Sequence, residues 1–492
     1  MTKKRAPGGP CGGICGYTLP QAAPAAWAAL PQSTQSREHA RQTTGKFLMA
    51  PSVTTVDILL RPRWIVPVIP RGVVLEDHCL AITGDSISAL LPRQEADRLD
   101  AREIIDLPGH ALAPGLINCH GHAGMSLLRG FADDLPLMPW LQDHIWPAEK
   151  AHVSAQFAAD GMELAVAEMA RSGTTTFSDQ FLFPDTGAST AQRLGMRSQI
   201  AFPIWNFATQ WANNTDEYIS KGLAVRDQFK HSPLVHIAFG PHAPYTVDEK
   251  DLARVAILAS ELDAVVHIHL HETREEVLQA VEQNGERPLD TLHRIGLLGP
   301  RAQCVHMTDL GSQDIELLAA TGSHVVHCPQ SNMKLASGIC RVTELMAQGI
   351  NVALGTDSAA SNNDLNMFGE MQAAALLAKV ATLDATTLPA ADTLAMATIN
   401  GARAMGLEDQ IGSLEPGKQA DVIAVDLTGP ETQPVYNPLS QLVYSCNGSQ
   451  VTQSWVAGQA IMRDRELLQI DLDALATRVD DWQQRINATP RG

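Results

Sequence analysis

Long apolar runs are missing from this chain of 492 residues. No stretch of about 18 consecutive apolar residues occurs, so we expect no membrane-spanning helix. A basic stripe is missing too, since 36 Lys and Arg stand against 54 Asp and Glu, a formal charge of −18. Because proteins bind nucleic acids through clustered Lys and Arg, no nucleic-acid partner is expected. The hydrophobic content of 45% is sufficient for a sizeable core.

Closely paired cysteines are also absent. The eight cysteines are scattered and no C-x-x-C pair occurs. A chain of this length does not need disulfides to stabilise a small core. We therefore predict reduced thiols, most of them buried as small core residues, and a cytoplasmic location.

Residues 1–50 differ in composition from the rest of the chain. They are rich in Pro, Gly, Ala, Gln and Ser, and carry six basic residues against a single acid, Glu38. The string Ala-Pro-Gly-Gly-Pro interrupts the continuous apolar segment that a secretory signal requires. An acid-poor transit peptide would fit the composition, but we predict a disordered extension, with Met49 as an alternative first residue of the native protein.

Short β-rich segments lie on both sides of a middle region in which strand and helix patterns alternate. They predict one small composite β domain, a β-sandwich, built from residues 51–110 and 412–470. A helical tail is predicted over residues 471–492. The individual strands are predicted over 56–60, 63–67, 79–82 and 422–425, with a hairpin over 451–462.

Strand and helix patterns alternate over residues 111–411. Eight such units predict an α/β fold, a (β/α)8 TIM barrel, in which chemistry lies at the carboxyl ends of the strands. The predicted strands end near residues 122, 179, 204, 242, 272, 306, 329 and 357, and helical patterns between them include 155–171, 251–262 and 313–320.

Two histidines, His120 and His122, follow the apolar run that starts at Ala111. Because side chains in a strand alternate, residues two apart point to the same face. Neutral imidazole is a standard ligand for zinc and similar ions, so the pair predicts half of a metal site. An isolated H-x-H pair is more often an ordinary loop start, and the metal hypothesis depends on further ligands downstream.

The fifth predicted strand supplies three histidines, His267, His269 and His271. All three share one face, so periodicity alone does not select a ligand. Glu272 follows His269 by three residues. This spacing suits a metal ligand near the mouth of the barrel, His269, followed by a residue that acts as an acid/base, Glu272. We expect the other two histidines to be hydrogen-bonded core residues.

Asp357, at the end of the eighth predicted strand, would complete the ligand set. Three imidazoles and one carboxylate leave an open position for water, as a catalytic zinc site requires. Iron and manganese fit similar sites. The predicted ligands of one divalent metal ion, by default Zn²⁺, are His120, His122, His269 and Asp357.

Three catalytic roles follow from this arrangement. Asp357 can take a proton from the attacking water, and Glu272 can protonate a ring nitrogen and later a leaving amine. His306, at the end of the sixth predicted strand, can polarise the water or the oxyanion that forms. Ammonia is a poor leaving group that needs such a proton donor, so the residues favour deamination over dehalogenation.

These motifs resemble the amidohydrolase superfamily. They are most similar to the S-adenosylhomocysteine/5′-methylthioadenosine deaminase family, within the group that includes triazine hydrolases. The resemblance runs from about Val56 to about Ile470. It implies a metal-dependent enzyme that converts 5′-methylthioadenosine, and also S-adenosylhomocysteine or adenosine, to the inosyl product and ammonia, and it suggests a homo-oligomer. The motifs are PGLINCHGH, LLRGFADDLPLMPWLQDHIWPAE, GPHAPY, HLHET, HCPQSNMKL and LGTDSAASNNDLNM.

The resemblance also implies roles for residues that the pattern alone would leave unassigned. Glu149 matches the family residue that binds the ribose hydroxyls, and His242 matches the one that contacts the purine. Trp140 stands where an apolar wall is expected, although a core tryptophan fits equally well. No lysine stands at the fourth strand end, so the arrangement with a carboxylated lysine and two metals is not expected.

One departure from the family bears on the substrate. Members that use S-adenosylhomocysteine are expected to carry arginines in the loop after the third strand, where they pair with the substrate carboxylate. Residues 206–220 contain no Arg or Lys, only Asp216 and Glu217. Since a carboxylate would meet acids there, we predict a preference for methylthioadenosine or adenosine over adenosylhomocysteine.

Two other functions remain open on the sequence. The first is a deaminase or hydrolase of another heterocycle, such as guanine, an oxidised purine or a triazine. Glu149 and His242 argue against it, because a free base has no ribose to bind. The second is a non-catalytic scaffold, which would be free to lose ligands, whereas every metal and acid/base position here is filled.

Overall fold

Two sheets carry the strands of residues 55–489, which are the residues that the computed structural model describes. The predicted extension over residues 1–50 lies outside them. The strands are β1 Thr55–Ile65, β2 Leu75–Glu76, β3 His78–Thr83, β4 Ser86–Pro92, β5 Asp100–Pro114, β6 Leu116–Asn118, β7 Thr174–Asp179, β8 Arg197–Ile204, β9 Val235–Pro241, β10 Val266–Leu270, β11 Ala302–His306, β12 His324–His327, β13 Val352–Leu354, β14 Val422–Asp426, β15 Val451–Val456, β16 Gln459–Arg463 and β17 Glu466–Leu467.

Helices connect the strands and cover the barrel. A 3-10 helix spans Ala123–Leu128 and a π-helical segment spans Trp140–Ile145. No helix within residues 55–489 is long and apolar enough to cross a membrane. The α-helices are α1 Arg93–Ala96, α2 Leu137–Pro139, α3 Trp146–His152, α4 Ala155–Arg171, α5 Pro184–Arg193, α6 Thr215–Phe229, α7 Glu249–Glu261, α8 Arg274–Asn284, α9 Pro288–Arg294, α10 Ser312–Thr321, α11 Pro329–Lys334, α12 Val342–Ala347, α13 Met367–Thr382, α14 Ala390–Met396, α15 Ile399–Met405, α16 Pro438–Tyr444 and α17 Leu472–Ala488.

The first sheet, β6 to β13, is a parallel barrel. Its strands pair in chain order, each with the next. The two edge strands then meet, since the Cys119 amide donates to the Leu354 carbonyl at 2.9 Å and the Asp357 amide donates to the His120 carbonyl at 3.0 Å. This architecture confirms the predicted (β/α)8 fold class. It also places His120 beside Asp357, although 237 residues separate them in sequence.

The helices around the barrel form where apolar periodicity and capping residues agree. Ser154 precedes α4, and its side chain accepts a hydrogen bond from the Phe157 amide, which caps the helix. α4 has the bounds predicted from the sequence, and α7 and α10 lie within two residues of theirs. Every residue of β7 and β8 is buried, because the helices cover the outer face of the barrel.

The second sheet is mixed and joins both ends of the described chain. β1 and β5 run parallel, and the other neighbours in the sheet run antiparallel. The Ile87 amide donates to the Lys418 carbonyl, so the start of β4 is tied to the loop before β14. The sheet thereby encloses an apolar core of its own that includes Leu60, Leu80 and Trp455. The division into domains at residues 51–110, 111–411 and 412–470 stays a prediction.

The strand boundaries differ from the predictions at two places. The two strands predicted within residues 56–67 are one continuous strand, β1. The run from Ala111 belongs to β5 and pairs with β14, so it lies in the mixed sheet and not in the barrel. The chain passes between the sheets at Gly115, where a Cβ atom would lie 1.9 Å from Thr175 Oγ1. Only glycine allows this close approach.

Candidate active site

Three imidazole nitrogens and one carboxylate oxygen meet at the carboxyl end of the barrel. His269 Nε2 lies 3.3 Å from His122 Nε2. Asp357 Oδ1 lies 3.3 Å from both His120 Nε2 and His122 Nε2. The ligand atoms of the three histidines lie within 4.8 Å of one another. The structure therefore brings together all four residues that the sequence singled out as ligands.

These separations match the geometry of a bound cation. Zinc bonds of about 2.0–2.2 Å at tetrahedral angles place neighbouring donor atoms roughly 3.3–3.5 Å apart. His120 Nε2 is buried and has no hydrogen-bond partner within the described part of the chain. A buried polar atom without a partner is costly, and a divalent ion at this point would satisfy it. The donor set therefore fits one divalent metal ion.

Backbone carbonyls fix the orientation of two of the imidazoles. His122 Nδ1 lies 2.6 Å from the Gln180 carbonyl, and His269 Nδ1 lies 2.7 Å from the His242 carbonyl. A carbonyl oxygen only accepts, so each Nδ1 carries the proton and donates it. The Nε2 lone pair of each ring is then free to bind a metal.

The third imidazole is oriented by another histidine. His120 Nδ1 lies 2.7 Å from His267 Nε2, and His267 Nδ1 lies 2.6 Å from Gln303 Oε1. Gln303 Oε1 only accepts, so His267 donates a hydrogen bond to it through Nδ1. His267 Nε2 then carries no proton and accepts a hydrogen bond from His120 Nδ1. His271 lies away from the donors, and its Nε2 accepts from the Leu289 amide. Both histidines are buried and hydrogen-bonded, as expected from the sequence.

We expect His267→Phe to weaken metal binding by about 10–100-fold, because substitutions at such supporting positions have effects of this size. The ring keeps its volume, but His120 loses the acceptor that holds its Nε2 toward the site. Zinc affinity measured with a competing chelator would check this. His236→Asn, on neighbouring β9, serves as the control and should leave the affinity unchanged; an unchanged affinity in His267→Phe would contradict the orienting role.

Asp357 is held rigidly at the end of the barrel. Ser331 Oγ donates to Asp357 Oδ2 at 2.6 Å, and the Ser358 amide donates to Oδ1 at 2.8 Å. Its backbone φ is +63°, a conformation that residues other than glycine rarely adopt. Such conformations are often found at functional sites. Burial raises the pKa of Asp357, but the close contacts of its carboxylate with the imidazoles of His120 and His122 outweigh this effect and hold the pKa well below the usual range. The carboxylate is therefore ionised and able to bind a cation.

Glu272 and His306 lie beside the donor atoms. Glu272 Oε2 lies 3.9 Å from His306 Nε2. His306 Nδ1 lies 2.9 Å from Asn332 Oδ1, which leaves Nε2 facing Glu272. Burial, with a smaller contribution from the charge of Asp357, raises the pKa of Glu272 to about 8. The carboxyl group of Glu272 is therefore protonated at neutral pH.

The donor atoms line a cavity at the carboxyl end of the barrel. Concave, mostly apolar sites that contain a few converging polar groups are typical of small-molecule binding. His120 lies beneath it, fully buried. The other eight residues singled out from the sequence all line the cavity: His122, Trp140, Glu149, His242, His269, Glu272, His306 and Asp357.

The three residues assigned to substrate through the resemblance differ in how they are held. Burial raises the pKa of Glu149 to about 7. His242 Nδ1 is 2.9 Å from Thr246 Oγ1. Trp140 is 5% exposed and donates from Nε1 to the Ala132 carbonyl at 3.1 Å, so it is both a cavity wall and a core residue.

The cavity also contains aromatic residues that sequence reasoning missed. Trp205 directly follows β8, and its ring lies 5.4 Å from that of His242. The rule that chemistry follows strand ends could have identified it. Tyr245 lies in the GPHAPY motif, which drew attention only to its histidine. Trp146 starts α3, and only the resemblance that assigned Glu149 to the ribose indicated that this helix faces the barrel.

Comparison with known proteins agrees with the fold. A sequence model of the amidohydrolase family matches residues 111–461. The 5-methylthioadenosine/S-adenosylhomocysteine deaminase of Teredinibacter turnerae is 52% identical over 438 residues, covering 89% of this chain and 99% of that protein. A crystal structure of an adenosine deaminase from Xanthomonas campestris with bound zinc is 47% identical, with a TM-score of 0.88, covering 89% of this chain and 100% of that one.

A more distant structure shares the fold alone. The atrazine chlorohydrolase of Arthrobacter aurescens TC1, complexed with zinc, is 23% identical with a TM-score of 0.80, covering 87% of this chain and 100% of that one. The extent and identity of the other matches confirm the resemblance seen in the motifs. The chain belongs to the amidohydrolase family, in the branch of the proteins named 5-methylthioadenosine/S-adenosylhomocysteine deaminases.

Proposed function

We propose that this protein is a zinc-dependent hydrolytic deaminase of adenine nucleosides, acting on 5′-methylthioadenosine in preference to S-adenosylhomocysteine. The observation that carries the proposal is the convergence of His120, His122, His269 and Asp357 beside the protonated Glu272. The names of the relatives, a methylthioadenosine/adenosylhomocysteine deaminase at 52% identity and a zinc-bound adenosine deaminase at 47%, support both the substrate class and the metal.

The residues around the donor atoms have complementary proton-transfer roles. A divalent ion held there would supply Lewis acidity, which lowers the pKa of bound water toward about 7. Asp357, ionised and fixed by Ser331, accepts the proton of the attacking water. Glu272 donates its proton to a ring nitrogen of the adenine, takes up the proton that Asp357 removed from the water, and donates that proton to the leaving amine. The hydroxyl proton of the addition product restores the acid form of Glu272 as the carbonyl forms. His306 orients the water and polarises the oxygen that becomes negatively charged.

Three cavity residues position the nucleoside. The carboxylate of Glu149 accepts from the ribose hydroxyls, which distinguishes a nucleoside from a free base. His242 contacts the purine ring, and Trp140 forms an apolar wall. These roles follow from the family resemblance, and the location of all three residues in the cavity that holds Asp357 supports them.

The pH dependence of catalysis tests the role of Glu272. Its pKa is raised to about 8, so the acid form is present at neutral pH and is lost as the pH rises through that value. We therefore expect kcat/KM to fall above about pH 8, with the loss of one proton. A pH–rate profile with methylthioadenosine checks this; a basic limb that persists unchanged when Glu272 is replaced by aspartate and when it is replaced by glutamine would contradict the assignment.

The charges near the site predict the substrate preference. Asp216 and Glu217, the acids after β8, are already paired with Arg254 and Lys221. Neither these acids nor the two cations line the cavity, so the expected repulsion by Asp216 and Glu217 is not the cause of the preference; the reason is that no Lys or Arg of the described chain lines the cavity to pair with a substrate carboxylate. We therefore expect kcat/KM to be higher for methylthioadenosine and adenosine than for adenosylhomocysteine.

A panel of nucleosides and bases, followed by the ultraviolet change on loss of the adenine amine, tests the function directly. The panel includes these three nucleosides together with guanine and a triazine. A large advantage for adenosylhomocysteine would contradict the predicted preference. Turnover of guanine or the triazine, with none of the nucleosides, would contradict the proposed function.

We also propose that the enzyme is a cytoplasmic homo-oligomer. The cysteines within residues 55–489 are all free and buried, which supports a reducing compartment. Leu376, Val380 and Leu383 share one face around the end of α13 and are 49%, 70% and 93% exposed. Apolar patches of this kind are common at subunit contacts. Light scattering of the purified protein would measure the oligomeric state.

A further inference from the structure

A second depression, which we call the outer groove, opens directly from the active-site cavity. The two share the wall formed by Leu137, Trp146 and Tyr245. Trp146 lies on α3, one turn before Glu149. Within residues 55–489 the Glu149 carboxylate has no hydrogen-bond or ion-pair partner, and it lines the cavity next to this shared wall. A ligand group at Glu149 is therefore adjacent to the outer groove.

The groove offers apolar surface beside this opening. Met138, Phe207 and Tyr245 line it and are 39%, 45% and 39% exposed. Large exposed apolar side chains that line a concave surface indicate a binding site. A thioether chain suits this surface, because sulfur makes favourable contacts with aromatic rings.

Two carboxylates in the groove are free of partners. Asp248 and Glu275 line it, and neither side chain makes a hydrogen bond or ion pair with any residue of the described part of the chain. Glu276 also lines the groove, but its carboxylate accepts from the amides of His271 and Glu272 and is already satisfied. Asp248 and Glu275 therefore supply two negative charges that have no ion-pair partner within the described chain.

The cation in the depression beside the groove is paired elsewhere. Among the described residues, no Lys or Arg lines the cavity or the outer groove. Lys334 shares a neighbouring depression with Glu275, but its ammonium donates to Asp133 at 2.6 Å. A carboxylate in the groove would thus meet like charges without a counter-ion, whereas an ammonium group would meet two free carboxylates.

We propose that the outer groove binds the 5′ substituent of an adenine nucleoside and selects it by charge. Neutral thioethers and chains that end in an ammonium are accepted, and chains that end in a carboxylate are rejected. This rests on the proposed function, since Glu149 must hold the ribose for the 5′ substituent to reach the shared wall. S-adenosylhomocysteine carries both charged groups, so the attraction for one is offset by the repulsion of the other.

The test uses three 5′-thioethers of adenosine of similar length: 3-aminopropyl, n-butyl and 2-carboxyethyl. Deamination of each by the full chain is followed beside methylthioadenosine. At low ionic strength we expect kcat/KM to be highest for the aminopropyl compound and roughly tenfold lower for the carboxyethyl compound. About 0.5 M salt should narrow that difference, because both carboxylates are accessible to solvent.

The variant D248N/E275Q locates the effect in the groove. Removing both charges should lower kcat/KM for the aminopropyl compound and raise it for the carboxyethyl compound, so that their ratio approaches one. The matched control is Glu282→Gln, an exposed carboxylate further along α8 that does not line the groove. It should leave the ratio unchanged.

The outcomes separate this inference from the function on which it rests. If methylthioadenosine is deaminated but the three analogues react equally, or if the ratio is the same in the double variant, charge selection by the groove is wrong and the deaminase assignment stands. If neither methylthioadenosine nor any of the analogues is deaminated, the proposed function itself fails, and the inference fails with it.

Discussion

Replacing Glu272 by glutamine is expected to lower kcat by about 10²–10⁴-fold, the usual contribution of a general acid/base. The side chain is 5% exposed and its carboxyl group is protonated at neutral pH, so an amide of nearly the same shape can occupy its place. The amide cannot transfer the proton that the ring nitrogen and the leaving amine require. Because Glu272 is not among the four donor residues, bound zinc should be unaffected.

Two measurements on the same preparation distinguish this role from a structural one. Turnover of methylthioadenosine is measured together with zinc content, and Glu261→Gln, an exposed carboxylate at the end of α7, is the matched control. Inactivity with full zinc content is the expected result for Glu272→Gln. Loss of zinc from that variant would mean that Glu272 has been misassigned and belongs to the metal site.

Removing the Asp357 side chain should have a larger effect, because it eliminates both a ligand and the proton acceptor. Substitutions that only orient ligands weaken metal binding by about 10–100-fold, so loss of a ligand should exceed that. We expect Asp357→Ala to purify with little zinc and to show no turnover above background. Treating the unmodified enzyme with a chelator should give the same inactivity, reversed by added zinc.

The control for this prediction is Asp480→Ala, an exposed aspartate on α17. It should retain full zinc and activity. Asp357→Ala should stay inactive even in excess zinc, because the proton acceptor is missing whether or not the ion binds. An Asp357→Ala variant with normal zinc content and substantial turnover would contradict both roles of this residue.

The sequence predicted the barrel well because its signals are local. Strand and helix periodicities alternate through the middle of the chain, and α4 has the predicted bounds. The start of the barrel was harder to place, because the end of β5, from Ala111, and β6 form one apolar run interrupted only by Gly115. Only the pairing of β5 with β14, more than 300 residues away in sequence, shows that the first part of this apolar run belongs to the mixed sheet and not to the barrel.

The convergence of the candidate site was also predictable, since each donor lies at or near the end of a predicted barrel strand. What could not be predicted is the layer of residues that holds the donors in place. Alternation put His267 and His269 on one face, but only the contact of His267 with His120 separates the supporting histidine from the donor. The outer groove depends on α2 and α3, whose position over the barrel has no periodic signal.

The proposed catalysis requires one cation that is shared by residues from the first, fifth and eighth barrel strands. Anomalous diffraction from crystals of the zinc-loaded protein, collected on both sides of the zinc absorption edge, tests this most directly. We predict a single peak about 2.0–2.2 Å from Nε2 of His120, His122 and His269 and from an Oδ atom of Asp357. No peak there, or a peak bonded to other residues, would contradict it.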